Sequence, residues 1–200
     1  MKLFRKLLLL PLVMILFLPL ASMCVFMVFA GSSSASIDTD EIIVVSGEFV
    51  GPFEDDRYVI TSDPGNRPSL HDWHAGIDLD RSYGSKVIAL TDAIVYDASA
   101  RCDPDGGYIG NRCPYTNMGG CGNYVVLRFE HEGHIYYVTY MHLSKLHVVK
   151  GETVKKGEVI ALQGNSGNST GSHLHVEIHQ DKHVLGKDHW IDPRTFLDLK

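Results

Sequence analysis

Short segments in which apolar and polar residues alternate run through the chain from about residue 42 onward. They are rich in Val, Ile and Tyr, and Gly, Asn, Asp and Pro separate them, which is typical of β-strands joined by turns. No stretch in this part sustains the apolar period of an amphipathic helix. We therefore expect an all-β fold, a single antiparallel β domain over residues 42–200. The predicted strands are Tyr58–Thr61, Lys86–Leu90, Ala93–Tyr96, Asn123–Phe129, His134–Tyr140, Val159–Gln163 and His173–His179.

The first thirty residues have a different pattern, in which basic residues precede an uncharged apolar run from Leu7 to Ala30. The run is long enough to span a bilayer, which takes about 20 apolar residues. It also ends in Val28-Phe29-Ala30, a pattern that signal peptidase can cleave. We expect residues 1–30 to be a signal peptide or a membrane anchor helix, and the rest of the chain to be exported. Residues 31–41, which begin GSSSAS, are expected to be a flexible linker.

Export changes the charge balance of the part that lies outside the membrane. Residues 1–30 contain three of the 18 Lys and Arg residues and none of the 24 Asp and Glu residues. The remaining chain has 15 basic and 24 acidic residues, and therefore a net charge of −9. Nucleic-acid binding depends on neutralising phosphates with Lys and Arg. This composition therefore argues against a nucleic-acid partner.

Three cysteines fall within a segment rich in Gly, Pro and Asn that separates two predicted strands, namely Cys102, Cys113 and Cys121. We interpret residues 102–122 as a long loop inserted into the β domain. An oxidising compartment favours a disulfide over free thiols. A three-cysteine metal site is the competing interpretation, although the spacings match no compact zinc motif. Three cysteines leave one unpaired in the disulfide interpretation.

Alternation is strict in the segment that contains the last predicted strand. It places the apolar residues on one face and the polar residues His173, His175, Glu177 and His179 on the other. With two imidazoles on one face of a strand, one can bind a metal ion and the other can act as a base beside it. Glu177 is expected either behind a ligand or exposed to solvent, and His179 at the end of the groove.

A second polar cluster occurs earlier, in the segment HAGID. His74 and Asp78 fall on the same face of an extended segment, and Gly76 between them leaves space for an ion. Asp80 has the same parity, so periodicity alone does not choose between the two aspartates. Two His and one Asp would bind zinc and leave a fourth position open, as in a catalytic site. The alternative is that both clusters are surface polar residues without a metal.

The chain resembles the M23 family of zinc metallopeptidases, of the lysostaphin and LytM type. The resemblance covers almost the whole predicted domain. It implies a β domain with a narrow active-site groove that hydrolyses peptide bonds in the stem peptides or cross-bridges of bacterial peptidoglycan. The motifs that carry it are ITS at residue 60, HAGID at 74, YGSKVIAL at 83, GNYVVLRF at 122, YMHLSKL at 140 and VKKGEVIALQGNSGNSTGSHLHVEI at 154.

The resemblance also implies a role for individual residues. Zinc would be bound by His74, Asp78 and His175, which decides between the two aspartates. His142 and His173 match the two unligated histidines of the family's site. They would carry out the acid–base steps, because the chain has no HExxH glutamate to serve as a base.

A cysteine pattern found in some relatives implies that Cys102 pairs with Cys113 and that Cys121 is free. We expect no SH3-type wall-binding domain after residue 200. The other histidines are expected to be solvated or loop residues. Two alternative functions remain at this point: a non-catalytic member that binds wall or activates an amidase, and a peptidase that cleaves a secreted protein.

Overall fold

The computed structural model describes residues 41–55, 57–69, 71–114 and 118–199. The predicted signal or anchor segment, residues 1–30, and nearly all of the predicted linker lie outside the described residues. Within those four ranges no helix is long and apolar enough to cross a membrane. The regular structure there consists of β-strands and two short 3₁₀ turns, so the all-β prediction is confirmed.

Most of the strands are short, as expected from a sequence with closely spaced Gly, Pro and Asn. In chain order they are β1 (Val59–Ser62), β2 (Gly65–Arg67), β3 (Asp72–His74), β4 (Gly76–Asp80), β5 (Lys86–Ile88), β6 (Ala93–Ser99), β7 (Tyr124–His131), β8 (His134–Met141), β9 (Leu143–Leu146), β10 (Thr153–Val154), β11 (Val159–Gln163), β12 (Leu174–Gln180) and β13 (Trp190–Ile191). The 3₁₀ turns are Gly119–Cys121 and Pro193–Thr195.

The main sheet has the strand order β1-β4-β12-β8-β7-β6-β10, with β13 paired to the end of β12. A second sheet has the order β5-β11-β9, and β2 pairs with β3. All of these pairs are antiparallel. In the main sheet β12 lies between β4 and β8, and its register pairs His175 with Asp78 on one side and with Met141 on the other. The two polar clusters of the sequence therefore become neighbours.

The apolar face of β12 packs into the core, as the alternation predicted. Leu174, Val176 and Ile178 are fully buried and belong to one large apolar cluster. Tyr140 of β8 is fully buried in the same cluster, and its hydroxyl accepts a hydrogen bond from the Leu90 N–H (3.3 Å). Tyr140 therefore has a packing role.

Two loops cover the opposite face of the main sheet. Residues 102–114 and 118–122, the described parts of the predicted insertion, lie between β6 and β7, and a disulfide joins Cys102 to Cys113. Cys121 is a buried free thiol that packs in a smaller apolar cluster with Met141. Residues 181–189 form the other loop, and the His183 ring in it contacts aromatic rings of β6 and β8. The polar face of β12 lies beneath these loops.

Candidate metal centre

Three side chains converge where β3, β4 and β12 meet. Nε2 of His74 lies 3.2 Å from Oδ1 of Asp78 and 3.1 Å from Nδ1 of His175, and the last two atoms are 2.7 Å apart. Among the described residues, this is the one group of His, Cys, Asp or Glu side chains placed to hold a metal ion. Asp80, two positions along the same strand, is exposed and does not join it.

Gly76 explains how His175 reaches this group. A Cβ atom at position 76 would lie only 2.3 Å from Nε2 of His175, so the imidazole occupies the space above the glycine. The sequence pattern predicted that an ion would fill this space. That prediction was wrong, because the space holds a ring whose Nδ1 is itself the third donor atom.

Hydrogen bonds in the group favour a positive charge at the point where the donor atoms meet. Burial opposes ionisation of Asp78, but hydrogen bonds with His175 and His74 hold the pKa of its carboxyl well below the usual range. Burial also opposes a charged His175, yet its hydrogen bonds with Asp78 and Glu177 outweigh this effect and raise its pKa to about 9. The site therefore attracts a proton or a metal cation.

Two further imidazoles border the group. His142 follows β8 in a left-handed conformation (φ 61°), an uncommon backbone state for a residue other than glycine, and its N–H donates to the Cys121 carbonyl. The centroid of its ring lies 4.7 Å from that of His173 and 5.9 Å from that of His175. Nε2 of His173 is 3.6 Å from Oδ1 of Asp78. The structure thus brings together all five residues selected from the sequence.

Each of the four imidazoles has a hydrogen-bond acceptor behind it, which indicates the ring nitrogen that donates on that side. His175 donates from Nε2 to the Glu177 carboxylate (3.1 Å), so that Nδ1 faces the other donor atoms. In the other three rings Nδ1 donates to a backbone carbonyl, and Nε2 of His74 and of His173 lies within 3.6 Å of Oδ1 of Asp78. The acceptors are Asp63 for His74 (2.9 Å), Ser166 for His142 (2.8 Å) and Gly171 for His173 (2.8 Å).

His142 is uncharged in this environment. Burial lowers its pKa, the neighbouring His173 and His175 lower it further, and the value reached is about 3. Because Nδ1 carries the proton, Nε2 has a lone pair that can accept a proton or a hydrogen bond. The ring is therefore a neutral base beside the convergence point.

The group lies on the floor of a groove made of two adjoining cavities. One cavity, of about 280 Å³, lies between the insertion, which contributes Met118 and Cys121, and the opposite loop, which contributes Leu185. The other, of about 390 Å³, lies toward β1 and the loop that precedes β12. Arg67 and Asp78 border both cavities. An extended chain can therefore cross the group from one cavity to the other.

A family model described as Peptidase family M23 matches residues 72–193, which contain all five site residues. The chain belongs to peptidase family M23. The resemblance that its sequence motifs suggested is confirmed.

Several relatives of this M23 domain have names that describe their activity. Peptidoglycan DD-endopeptidase ShyA of Vibrio cholerae is 49% identical over 105 residues, 52% of this chain and 20% of ShyA. The catalytic domain of the antimicrobial peptidase lysostaphin from Staphylococcus simulans is 28% identical, with a TM-score of 0.53 over 70% of this chain and 91% of that chain. A zinc containing peptidase from Vibrio cholerae is 30% identical, with a TM-score of 0.50 over 70% of this chain and 41% of that chain. The chain thus spans about a fifth of the length of curated relatives such as ShyA.

A buried network that supports His142 in the M23 domain was missed in the sequence. Asn123 exchanges side-chain hydrogen bonds with the Cys102 backbone (2.8 and 3.1 Å) and donates to the Leu143 carbonyl (3.0 Å). The Ser166 hydroxyl accepts from the Asn123 N–H (2.9 Å) and donates to the same Leu143 carbonyl (2.9 Å). Asn123 and Ser166 both lie inside the motifs that carry the family resemblance, and this position in the sequence could have identified them. The network ties the disulfide-bonded insertion to the turn that carries His142.

The polar face of β12 continues past the metal group in a way the sequence did not predict. His179, expected at the end of the groove, is fully buried, and its ring bonds to the Gly186 carbonyl (3.1 Å). Glu177 is buried as well, behind His175, which is one of the two positions expected for it. The loop of residues 181–189 provides the Gly186 carbonyl that contacts His179, which accounts for the burial of that ring.

Proposed function

We propose that the chain is a zinc-dependent endopeptidase that hydrolyses peptide bonds in the stem peptides or cross-bridges of peptidoglycan. The observation that carries this proposal is the convergence of His74, Asp78 and His175 on the floor of a groove, with His142 and His173 beside them. Membership of family M23 and the likeness to the peptidoglycan DD-endopeptidase ShyA support it. The proposal includes the domain limits, with residues 42–200 as the peptidase domain.

Zinc fits the donor set. The group offers two imidazole nitrogens and one carboxylate oxygen, all within 3.2 Å of one another. Zinc binds these donor types at about 2.0–2.2 Å, so one ion can contact all three. Three protein ligands leave a fourth position open, which is the arrangement of catalytic sites. When bound, zinc acts as a Lewis acid on the scissile carbonyl and makes water more acidic.

His142 and His173 carry out the proton transfers in this proposal. Both rings donate from Nδ1 to a backbone carbonyl, which leaves Nε2 as the nitrogen that can exchange protons. Nε2 of His173 is 3.6 Å from Oδ1 of Asp78, and the His142 ring centroid is 5.9 Å from that of His175. A neutral Nε2 can accept the proton of the attacking water, and a protonated one can stabilise the oxyanion or return a proton to the leaving amine. Burial keeps the pKa of His142 at about 3, which keeps that ring in the neutral, accepting form.

The substrate class rests on the groove and the surface charge. Loops flank the groove, and its two cavities adjoin at Arg67 and Asp78, a shape that suits an extended peptide. A net charge of −9 on the chain after residue 30 is unsuited to nucleic acid. We propose that the chain acts outside the cytoplasm, either secreted or anchored in the membrane through residues 1–30.

Digestion of purified sacculi of two wall types tests this function and identifies the bond. The zinc-loaded full-length chain is incubated with glycine-bridged and with directly cross-linked sacculi, and the released fragments are identified by mass spectrometry. Uncross-linked peptides from at least one wall type are expected. If both remain intact while the chain holds zinc, the non-catalytic or protein-substrate alternative replaces the proposal.

A further inference from the structure

The carboxylate of Glu177 lies directly behind the proposed ligand His175. Glu177 is two residues further on the same face of β12, and its Oε1 is 3.1 Å from Nε2 of His175. Behind the other three imidazoles of the site the acceptor is a backbone carbonyl, so among these four rings His175 alone has an acidic side chain on the nitrogen that points away from Asp78. A carbonyl is fixed by the fold, whereas this contact depends on one replaceable residue.

Glu177 is shielded from solvent. It is 7% exposed and lies across the β8–β12 pair from Thr139, which is fully buried. Its second oxygen is 3.8 Å from Nε2 of His179, which is also fully buried. A buried carboxylate is destabilising unless hydrogen bonds or charges compensate it. This side chain therefore requires the hydrogen bond from His175 and a positive charge nearby.

We propose that Glu177 is a positioning residue for the metal centre: it fixes the tautomer of His175 and strengthens Nδ1 of that ring as a metal donor. Accepting the Nε2 proton leaves the Nδ1 lone pair aimed at Asp78 and His74. Together with Asp78, Glu177 supplies two negative charges, which balance a divalent cation. Gly76 leaves the space in which the ring can adopt this orientation.

This inference rests on the proposed zinc ligands and does not depend on the substrate. Zinc binding tests it, with the full-length chain, Glu177→Ala and Glu177→Gln. Glu132→Gln is the matched control, because that side chain is 82% exposed. Loss of a hydrogen-bond partner behind a metal ligand lowers metal affinity by about 10–100-fold. We therefore expect competition with a chromogenic chelator to give a zinc Kd about 10–100-fold higher for Glu177→Ala and unchanged for Glu132→Gln.

The Glu177→Gln variant separates the charge from the hydrogen bond. Its amide oxygen can still accept the Nε2 proton, so ¹⁵N-resolved NMR should show the protonated Nε2 of His175 as in the original chain. The zinc Kd should lie between those of the original chain and Glu177→Ala. This variant has the size of glutamate, and it serves alone if Glu177→Ala does not fold.

The outcomes distinguish the inference from the proposed function. An original chain that binds no zinc would contradict the proposed zinc site itself. An original chain that binds zinc, with folded Glu177 variants whose Kd lies within twofold of it, would overturn the positioning role alone. The positioning role would also be overturned if ¹⁵N NMR of the zinc-loaded original chain shows the His175 proton on Nδ1 and not on Nε2.

Discussion

The imidazole of His175 lies over Gly76, where any side chain would displace it. A Cβ at position 76 would be 2.3 Å from Nε2 and 2.4 Å from Cε1 of the ring. It would also be 2.7 Å from the carbonyl oxygen of Val176 on the paired strand β12. Gly76→Ala should therefore lower zinc content sharply, as measured by elemental analysis, and circular dichroism measures whether the sheet is retained. Gly171→Ala is the control, because its added methyl group meets nothing within 4 Å. Full zinc content in Gly76→Ala would contradict this geometry.

The two aspartates of β4 should differ in their effect on the metal. Asp78 contacts both histidines of the group, whereas Asp80 is exposed at the end of the strand. Asp78→Ala removes a donor atom and should lose most of the bound zinc, and Asp80→Ala should retain it. Stoichiometric zinc in Asp78→Ala, measured on dialysed protein, would remove Asp78 from the ligand set.

His142 and His173 should affect turnover and leave the metal in place. Neither is among the three converging donors, and the Nδ1 atom of each is held by a backbone carbonyl, which leaves Nε2 for proton transfer. General acid–base catalysis contributes about 10²–10⁴-fold, so His142→Ala and His173→Ala should lose activity on that scale with zinc content unchanged. His147→Ala is the control, since His147 is exposed. Near-normal turnover in either variant would exclude that residue from the mechanism.

The metal-free chain should become less stable as the solution turns alkaline. Burial alone would lower the pKa of His175, but hydrogen bonds with Asp78 and Glu177 raise it to about 9, compared with about 6.5 in an unfolded chain. The folded state therefore holds this proton more tightly. The stabilisation is fully present below about pH 6.5 and is lost as the pH rises through about 9.

Urea unfolding of the chelator-stripped chain across this pH range measures the effect. The free energy of unfolding should fall with pH in the original chain and should vary less in His175→Asn. Identical pH dependence in the two chains would contradict the assigned hydrogen bonds.

The sequence predicted the parts of the fold that depend on side-chain alternation. The long strands β7, β8 and β12 were predicted within one or two residues because apolar and polar positions alternate clearly in them. Strands of two or three residues, such as β2 and β10, were missed because so few residues show no period. The site residues were identified through the family resemblance, since alternation alone did not separate Asp78 from Asp80.

The parts that the sequence did not predict depend on the backbone and on distant loops. The acceptors behind His142 and His173 are carbonyls of Ser166 and Gly171, which every residue type offers. The burial of His179 results from the loop of residues 181–189, and no local pattern around that histidine indicates it.

Release of free amino groups from purified sacculi tests the central claim most directly. The zinc-loaded full-length chain should release amino groups from at least one wall type without releasing reducing sugar ends. Chelator should stop the reaction and added zinc should restore it. Glu132→Gln, an exposed position that borders neither cavity, should behave like the original chain, and Asp78→Ala should be inactive. Reducing ends without amino groups, or no release from either wall type by a chain that holds zinc, would contradict the account.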